Sequence, residues 1–153
     1  MNIEKLIKIM EKLRDPKDGC PWDKKQTMES IIPHTIEEVY EVAEQVYLKN
    51  YGKLKEELGD LLFQVIYLSQ IASEKNKFDF NDVVESISSK MISRHPHVFK
   101  GKIFKNMKEF KLWWEKSKNK NKNSILEDIP FTYPAYLESN KIQKKVASVG
   151  FEY

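Results

Sequence analysis

The stretch Glu56-Glu57-Leu58-Gly59-Asp60-Leu61-Leu62 decides the fold, because it places acidic residues at the start of the most apolar segment of the chain. That segment continues as Phe63-Gln64-Val65-Ile66-Tyr67-Leu68-Ser69-Gln70-Ile71-Ala72, which is too long for an ordinary strand and contains no proline. Beyond Asp60 the apolar side chains cover nearly the whole circumference of a helical wheel. The stretch therefore predicts a buried helix.

The two acids of this stretch are expected to share that burial. Asp60, and Glu57 one turn before it, should lie against other parts of the protein, where a carboxylate needs a partner. No basic residue lies between Asp60 and Lys75. The partner must therefore come from another element, from a metal ion or from protonation.

A second amphipathic helix is predicted just upstream of this stretch. Its apolar residues follow helical spacing at Ile36, Val39, Tyr40, Ala43, Val46 and Tyr47. Glu38 and Glu41 are three residues apart, which places them on one helix face, and Glu57 and Asp60 have the same spacing. Residues 49–52 make a turn in which Gly52 is free to take a positive φ. The two helices should form an antiparallel hairpin.

The hairpin predicts that the two acidic pairs meet. At a rise of about 1.5 Å per residue, Glu41 lies roughly 15 Å before the centre of the turn and Asp60 roughly 13 Å after it. Carboxylates at one level repel one another unless a cation lies among them, and oxygen ligands favour Mg²⁺ or Mn²⁺. The alternative is a solvated acidic face, since Glu38 and Glu41 point away from the apolar stripe of their own helix. The pattern leaves both interpretations open.

The bulk composition limits the class of protein. The 153 residues are enough for a proper core, and the net charge of +3 comes from a chain that is 32% charged with both signs interspersed. We therefore expect neither a nucleic-acid partner nor a membrane, because there is no basic field and no long apolar span. The single cysteine, Cys20, and the charged N-terminus without a signal peptide fit a reducing cytoplasm.

The rest of the chain is predicted to be helical. The expected helices cover residues 3–13, 27–32, 33–49 (opened by Pro33), 53–75, 78–94 (capped by Asp79 or Asn81), 107–115 and 135–149. The polar Lys and Asn tract 116–124 reads as a linker. This gives a helical domain at 1–115, the linker, and a C-terminal helical extension at 125–153.

Three further features carry candidate chemistry. In Cys20-Pro21-Trp22-Asp23 we expect Trp22 to pack the loop against the core rather than to contact a ligand, and nothing nearby activates Cys20 as a nucleophile. A zinc site from Cys20 and the histidines lacks a recognised spacing. Lys90 and Arg94, four apart at a predicted helix end, are either cations that complement the helix dipole or a phosphate clamp.

Four motifs in order carry a family resemblance. They are Cys20-Pro21-Trp22-Asp23-Lys24-Lys25-Gln26-Thr27, Ile36-Glu37-Glu38-Val39-Tyr40-Glu41-Val42, Glu56-Glu57-Leu58-Gly59-Asp60-Leu61-Leu62 and Arg94-His95-Pro96-His97-Val98-Phe99. Together they resemble the MazG family of nucleoside triphosphate pyrophosphohydrolases. The likeness extends over essentially the whole chain, to Val149-Gly150-Phe151-Glu152-Tyr153.

The resemblance implies an all-α fold built on a four-helix bundle, usually dimeric. The implied reaction converts ribo- or deoxyribonucleoside triphosphates to monophosphates and pyrophosphate with Mg²⁺, for which Mn²⁺ is a possible substitute. The residues that match the family's catalytic metal ligands are Glu38, Glu41, Glu57 and Asp60. Those that match its nucleotide contacts are Lys90, Arg94 and Trp114, with Trp113 competing for the last assignment and Lys53 or Lys55 as further phosphate contacts.

The resemblance leaves some alternatives open. Glu37 or Glu41 would be the general base. Many family members carry two tandem copies of the domain, and this chain resembles the first copy and stops where the second would begin. A single copy could instead be a catalytically weak nucleotide-binding, dimerisation or regulatory module. A narrower dUTP-type or phosphoribosyl-ATP-type pyrophosphohydrolase is the other alternative.

Overall fold

The computed structural model describes residues 3–119 and 124–151, and these residues form eight α-helices without a strand. In chain order they are α1 (Ile3–Leu13), α2 (Pro21–Lys25), α3 (Met28–Leu48), α4 (Tyr51–Glu74), α5 (Phe80–Arg94), α6 (Pro96–Phe99), α7 (Met107–Asn119) and α8 (Ala135–Ala147). The all-α prediction is confirmed. None of these helices combines the length and apolar character needed to cross a membrane.

The chain divides into two compact units, Met1–Ser89 and Lys90–Tyr153, with α5 running across the boundary. Helix α7 continues to Asn119, so residues 116–119 of the predicted linker are helical. The rest of that linker up to residue 123 lies outside the described residues. The division into a catalytic domain, a linker and an extension stays a prediction.

The core of the first unit is centred on the C-terminal half of α4. Its buried apolar side chains are Met10 from α1, Ile31 from α3, and Ile66, Tyr67 and Ile71 from α4. Full burial of such a side chain stabilises the fold by about 1.5–3 kcal/mol. Helix α4 packs against both α3 and α1, which explains why it has more buried residues than any other described helix.

The predicted hairpin is formed by α3 and α4, but its turn differs from the prediction. Lys49 adopts the left-handed conformation at φ 54°, and Asn50 caps α4 by accepting a hydrogen bond from the backbone N–H of Lys53 at 3.2 Å. Gly52 lies inside the first turn of α4. The prediction that Gly52 supplies the positive φ was wrong, because the Asn50 cap starts the helix two residues earlier.

Helix α3 is continuous where the sequence predicted a break. Thr27 and Ser30 form a reciprocal capping box at its start, and the helix runs through Pro33 without interruption. An interior proline costs about 3 kcal/mol through a lost hydrogen bond and a steric clash. Ile31, which is buried in the core, lies on the same early stretch, so packing and the cap together oppose that cost.

The other helix ends agree closely with their signals. Asp79 and Asp82 exchange backbone-to-carboxylate hydrogen bonds of 2.9 and 3.0 Å at the start of α5, which selects Asp79 as the cap. Helix α5 ends at Arg94, before Pro96. Helix α8 ends two residues earlier than predicted, and Gly150 follows it at φ 86°.

Candidate metal and nucleotide site

Three carboxylates from two helices converge on one side of the α3–α4 hairpin. Glu38 and Glu41 project from α3 and Glu57 from α4, and each offers an oxygen within 4.8 Å of the others. Glu38 and Glu57 are half-buried, whereas Glu41 is exposed. Helical spacing and the two-residue turn are sufficient to bring them together, since they place both motifs at the same level of the hairpin.

Asp60, the fourth acid of the predicted set, lies beside this group but outside its tightest part. Its side chain is exposed, so the prediction of a buried Asp60 was wrong. Leu58 and Leu62 in the N-terminal half of α4 are also exposed, and so is Val65 just beyond it. Within one chain, an apolar circumference therefore does not amount to burial.

The converging acids repel one another. Burial, followed by the charges of Asp60 and Glu41, raises the pKa of Glu38. Burial, followed by Glu41 and Asp60, also raises the pKa of Glu57. No lysine, arginine or histidine among the described residues forms an ion pair with these carboxylates. A folded-state pKa above the ordinary value means that their contribution to stability is present at low pH and is lost as the pH rises.

This donor set fits a hard divalent cation. Carboxylate oxygens from three side chains, without sulfur or imidazole nitrogen among them, match the ligand preference of Mg²⁺ and Mn²⁺. A bound cation would offset the mutual repulsion that, after burial, raises the two pKa values. The geometry can therefore hold a metal, with Asp60 near enough to interact electrostatically with both half-buried acids.

Gln64 is a contact of this cluster that the sequence did not single out. Its side-chain Nε2 donates to Glu38 Oε1 at 3.5 Å, across the interface between α4 and α3. Its own Oε1 is buried without a hydrogen-bond partner among the described residues. The sequence did contain a signal for Gln64, which lies one turn beyond Asp60. A neutral residue in an apolar helix, however, is usually interpreted as part of the packing.

The predicted phosphate contacts lie in different places. Lys53 is exposed in the first turn of α4, in the same unit as the carboxylates. Lys90 is exposed and Arg94 half-buried at the end of α5, in the second unit. The Arg94 guanidinium lies 5.9 Å from the centre of the Trp114 ring.

The two candidate tryptophans have different neighbours within the second unit. Trp114 packs edge-on against His95 at 5.1 Å, beside Arg94. Trp113 instead packs with Phe104 and Lys102. A cavity of about 560 Å³ lies next to Trp114, lined also by Lys111, Lys141, Lys144 and six further residues. The contact with Arg94 favours Trp114 over Trp113.

Asp23, an acid outside this cluster, is buried and has a hydrogen-bond partner within the fold. It is 8% exposed, and the Tyr67 hydroxyl donates to its carboxylate at 2.9 Å. Arg14 donates to the Asp23 carbonyl and forms two hydrogen bonds, of 2.7 and 2.6 Å, with the carboxylate of Glu74. The sequence did not reveal this network, because Arg14 and Glu74 are 60 residues apart.

Trp22 is also placed differently from its prediction. Its side chain is 52% exposed, and it contacts His34 edge-on with 5.9 Å between the ring centres. The expectation that Trp22 packs the loop against the core was wrong. The buried residue of that loop is its neighbour Asp23, which takes the interior position through hydrogen bonds.

Comparison with known proteins connects this geometry to a family. Residues 26–99 match the family model described as the MazG nucleotide pyrophosphohydrolase domain. That range contains the four acids of the two motif pairs together with Lys90 and Arg94.

Curated relatives and a solved structure agree with this match. The chain is 46% identical to the nucleoside triphosphate pyrophosphohydrolase of Escherichia coli strain K12, and the alignment covers 99% of this chain and 59% of the relative. It is 43% identical to the nucleoside triphosphate pyrophosphohydrolase/pyrophosphatase MazG of Thermotoga maritima, over 98% of this chain and 58% of the relative. The chain thus spans less than two thirds of these proteins.

A solved structure of a mazG-related protein from Thermotoga maritima matches this chain with a TM-score of 0.63 and 27% identity. The match covers 76% of this chain and 98% of the solved one. The order of the motifs, the converging carboxylates and these matches agree, and they identify residues 26–99 of the chain as a MazG domain.

Proposed function

We propose that this chain hydrolyses nucleoside triphosphates to monophosphates and pyrophosphate in the presence of Mg²⁺. The observation that carries the proposal is the convergence of Glu38, Glu41 and Glu57, within 4.8 Å of one another, in a MazG domain. The relatives that bear the pyrophosphohydrolase name support the same reaction.

In this proposal Glu38, Glu41, Glu57 and Asp60 hold Mg²⁺, with Mn²⁺ as a substitute. The bound cation would neutralise triphosphate charge and lower the pKa of a coordinated water. The chain's own part is to hold the carboxylates together and to orient them. Gln64 supports this by its hydrogen bond to Glu38, which leaves the second oxygen of Glu38 for the metal.

The attacking water needs a proton acceptor. Glu41 is exposed and projects toward the cluster, whereas Glu37 is its neighbour on α3 and lies 3.3 Å from the Nδ1 of His34. Either carboxylate can take the proton in this proposal. Replacing each by glutamine and comparing the pH dependence of turnover would separate them.

The nucleotide contacts in this proposal are Lys90, Arg94, Lys53 and Trp114. Arg94 can bind phosphate oxygens with two N–H groups, and its position over the Trp114 ring restrains the guanidinium. Replacing Arg94 with alanine should therefore weaken triphosphate binding more than monophosphate binding. Equal losses for the two ligands would mean that Arg94 is only a cation at a helix end.

The exposed apolar surface and the cysteine support a homodimer and a cytoplasmic location in this proposal. The α3–α4 hairpin exposes a row of apolar side chains, which supports a homodimer through this face; the row includes Ile36, Val39, Tyr40, Tyr47 and Leu58. The one free cysteine, Cys20, supports a reducing cytoplasm. Analytical ultracentrifugation of the wild type and of Tyr40→Asp would test the dimer.

The decisive experiment measures pyrophosphate release from a panel of ribo- and deoxyribonucleoside triphosphates, with Mg²⁺ and with a chelator. Glu57→Gln is the test variant and Glu56→Gln, an exposed acid next to it, is the matched control. Release that requires Mg²⁺ and Glu57 but not Glu56 supports the proposal, and the panel also gives the base preference.

The opposite outcome has a clear meaning. Folded protein that binds nucleotide with Mg²⁺ but releases no pyrophosphate from any substrate would refute the enzymatic proposal. The chain would then be a nucleotide-binding or regulatory module, an interpretation that the length of the relatives, of which it spans 59% and 58%, makes worth testing.

A further inference from the structure

Trp22 leaves a large aromatic surface open in a fold that places its other two tryptophans in contact with cations. Trp113 and Trp114 are half-buried, with Lys102 and Arg94 respectively near their rings. Trp22 is 52% exposed and contacts His34 only edge-on. An edge-to-face contact supports the ring from one side without covering both of its faces.

The exposure of Trp22 is not the fraying of a loose loop. The next residue, Asp23, is 8% exposed and accepts a hydrogen bond from Tyr67. Arg14 donates to the backbone carbonyls of Asp23, inside α2, and of Gln26, the residue that caps its C-terminus. These contacts hold the short helix from inside, so the ring of Trp22 is presented outward on a rigid support.

The Trp22 ring contacts His34, which lies on the same face of α3 as Glu38 and Glu41. His34 precedes Glu38 by one helical turn on α3, a separation of about 6 Å between their Cβ atoms. Glu41 is a further turn away, roughly 10 Å from His34 along the helix axis. The His34 ring is restrained in turn by Glu37, whose carboxylate lies 3.3 Å from Nδ1. The Trp22–His34 pair therefore meets α3 one turn before Glu38 and two turns before Glu41.

We propose that Trp22 is a stacking surface for the base of the nucleotide, with His34 positioning its ring. The inference rests on the proposed function, since it places the triphosphate at Glu38, Glu41 and Glu57 and extends the sugar and base toward the start of α3. A single aromatic face reads no hydrogen-bonding pattern, because every base has a π-face. The site would therefore take several bases, and purines more tightly than pyrimidines.

The test compares ligands with and without a base, by isothermal titration calorimetry of the full chain with Mg²⁺. One probe is an α,β-imido nucleoside triphosphate, which resists cleavage between the first two phosphorus atoms. The other is inorganic triphosphate, which has neither base nor sugar. The variants are Trp22→Ala and Trp22→Phe, with Phe131→Ala as a control at another exposed aromatic.

Loss of a stacked aromatic should weaken binding of the imido nucleotide about 10-fold in Trp22→Ala. Binding of inorganic triphosphate should not change, and Trp22→Phe should retain most of the nucleotide affinity. Phe131→Ala should bind both probes like the wild type. A thermal melt of each variant confirms that the fold is retained.

Three results would overturn the inference: unchanged nucleotide affinity in Trp22→Ala, an equal loss for both probes, or a base-dependent loss that appears in Trp114→Ala instead. The proposed function fails separately. A wild type that releases no pyrophosphate but binds the imido nucleotide through Trp22 refutes the hydrolysis and supports the stacking surface.

Discussion

Acidic residues occur in two contrasting settings in the first unit of this chain. Asp23 is buried and accepts a hydrogen bond from Tyr67, beside an Arg14 that is itself paired with Glu74. Glu38, Glu41 and Glu57 lie together without a cationic side chain among the described residues to pair with them. In the first setting Asp23, Arg14 and Glu74 have hydrogen-bond partners inside the fold, whereas the second has a place for a charge from outside.

The pKa values express the same contrast. The guanidinium of Arg14 holds the pKa of Glu74 below its ordinary value, so that pair stabilises the folded state at neutral pH. Burial and neighbouring acids raise the pKa of Glu38, so the ionised cluster destabilises the folded state. The protein keeps a locally unfavourable cluster on the helices that its best-packed core supports, which is the expected signature of a functional site.

The largest effect should come from the cluster. Replacing Glu38 with glutamine should lower pyrophosphate release at least about 100-fold, because loss of a direct metal ligand should exceed the 10- to 100-fold cost of losing an outer contact. The midpoint of thermal unfolding should not fall, since one repelling charge is removed. Steady-state kinetics and a melting curve test the two halves of this prediction. A large loss of stability with unchanged turnover would mean that Glu38 has a structural role, as the acids of the paired network do.

Breaking the paired network should have the opposite profile. Arg14→Met removes the partner of Glu74 and of two backbone carbonyls, and should lower the free energy of unfolding by about 2 kcal/mol. Lys12→Met is the control, because the Lys12–Asp18 pair is 3.8 Å long and exposed; its effect should stay below about 1 kcal/mol. Urea unfolding measures both variants.

The same network predicts that the free energy of unfolding depends on pH in the acid range. Because the pKa of Glu74 is below 4.5, its contribution is present above pH 4.5 and is lost as the pH falls. Arg14→Met should lose this slope between neutral and acid pH. A slope equal to that of the wild type would show that Glu74 is stabilised by other groups.

Adding Mg²⁺ should supply the carboxylate cluster with the positive charge that it lacks, and so should stabilise the folded state. At ten times its dissociation constant, a cation that binds only the folded state adds about 1.4 kcal/mol. The wild type should therefore melt at a higher temperature with Mg²⁺, and Glu57→Gln should show a smaller shift at the same concentration. Scanning fluorimetry across a Mg²⁺ titration gives both values. Identical shifts in the two proteins would place the cation elsewhere.

The smallest effect concerns the hydroxyl of Tyr67. Tyr67→Phe should cost about 1 kcal/mol, because the hydrogen bond to Asp23 is lost while the packing remains. Burial raises the pKa of Tyr67 to about 12, from an ordinary value of 10.0. Its contribution is therefore complete below pH 10 and is lost as the pH rises toward 12. The phenylalanine variant should lack that alkaline loss in a pH series of urea unfolding curves.

The hairpin shows how far sequence reasoning could go. Spacing of three within each acidic pair, and a short turn between two helices, are local properties, and they predicted that Glu38, Glu41 and Glu57 would meet. The break at Pro33 and the role of Gly52 were predicted wrongly, because a capping box and an asparagine cap outweighed residues that are usually strong signals. The conformational preference of a single residue is overridden where a neighbouring contact contributes more to stability.

Periodicity determined the helical class, the two acidic motifs and the level at which they meet, since all of these depend on residues close together in the chain. Burial was decided by tertiary structure alone. Whether Trp22 or Asp23 faces the interior, and whether Asp60 is covered, depends on what other segments place beside them. Arg14 meets Glu74 across 60 residues and Tyr67 meets Asp23 across 44. No local pattern records such a meeting, because it exists only once the helices have packed.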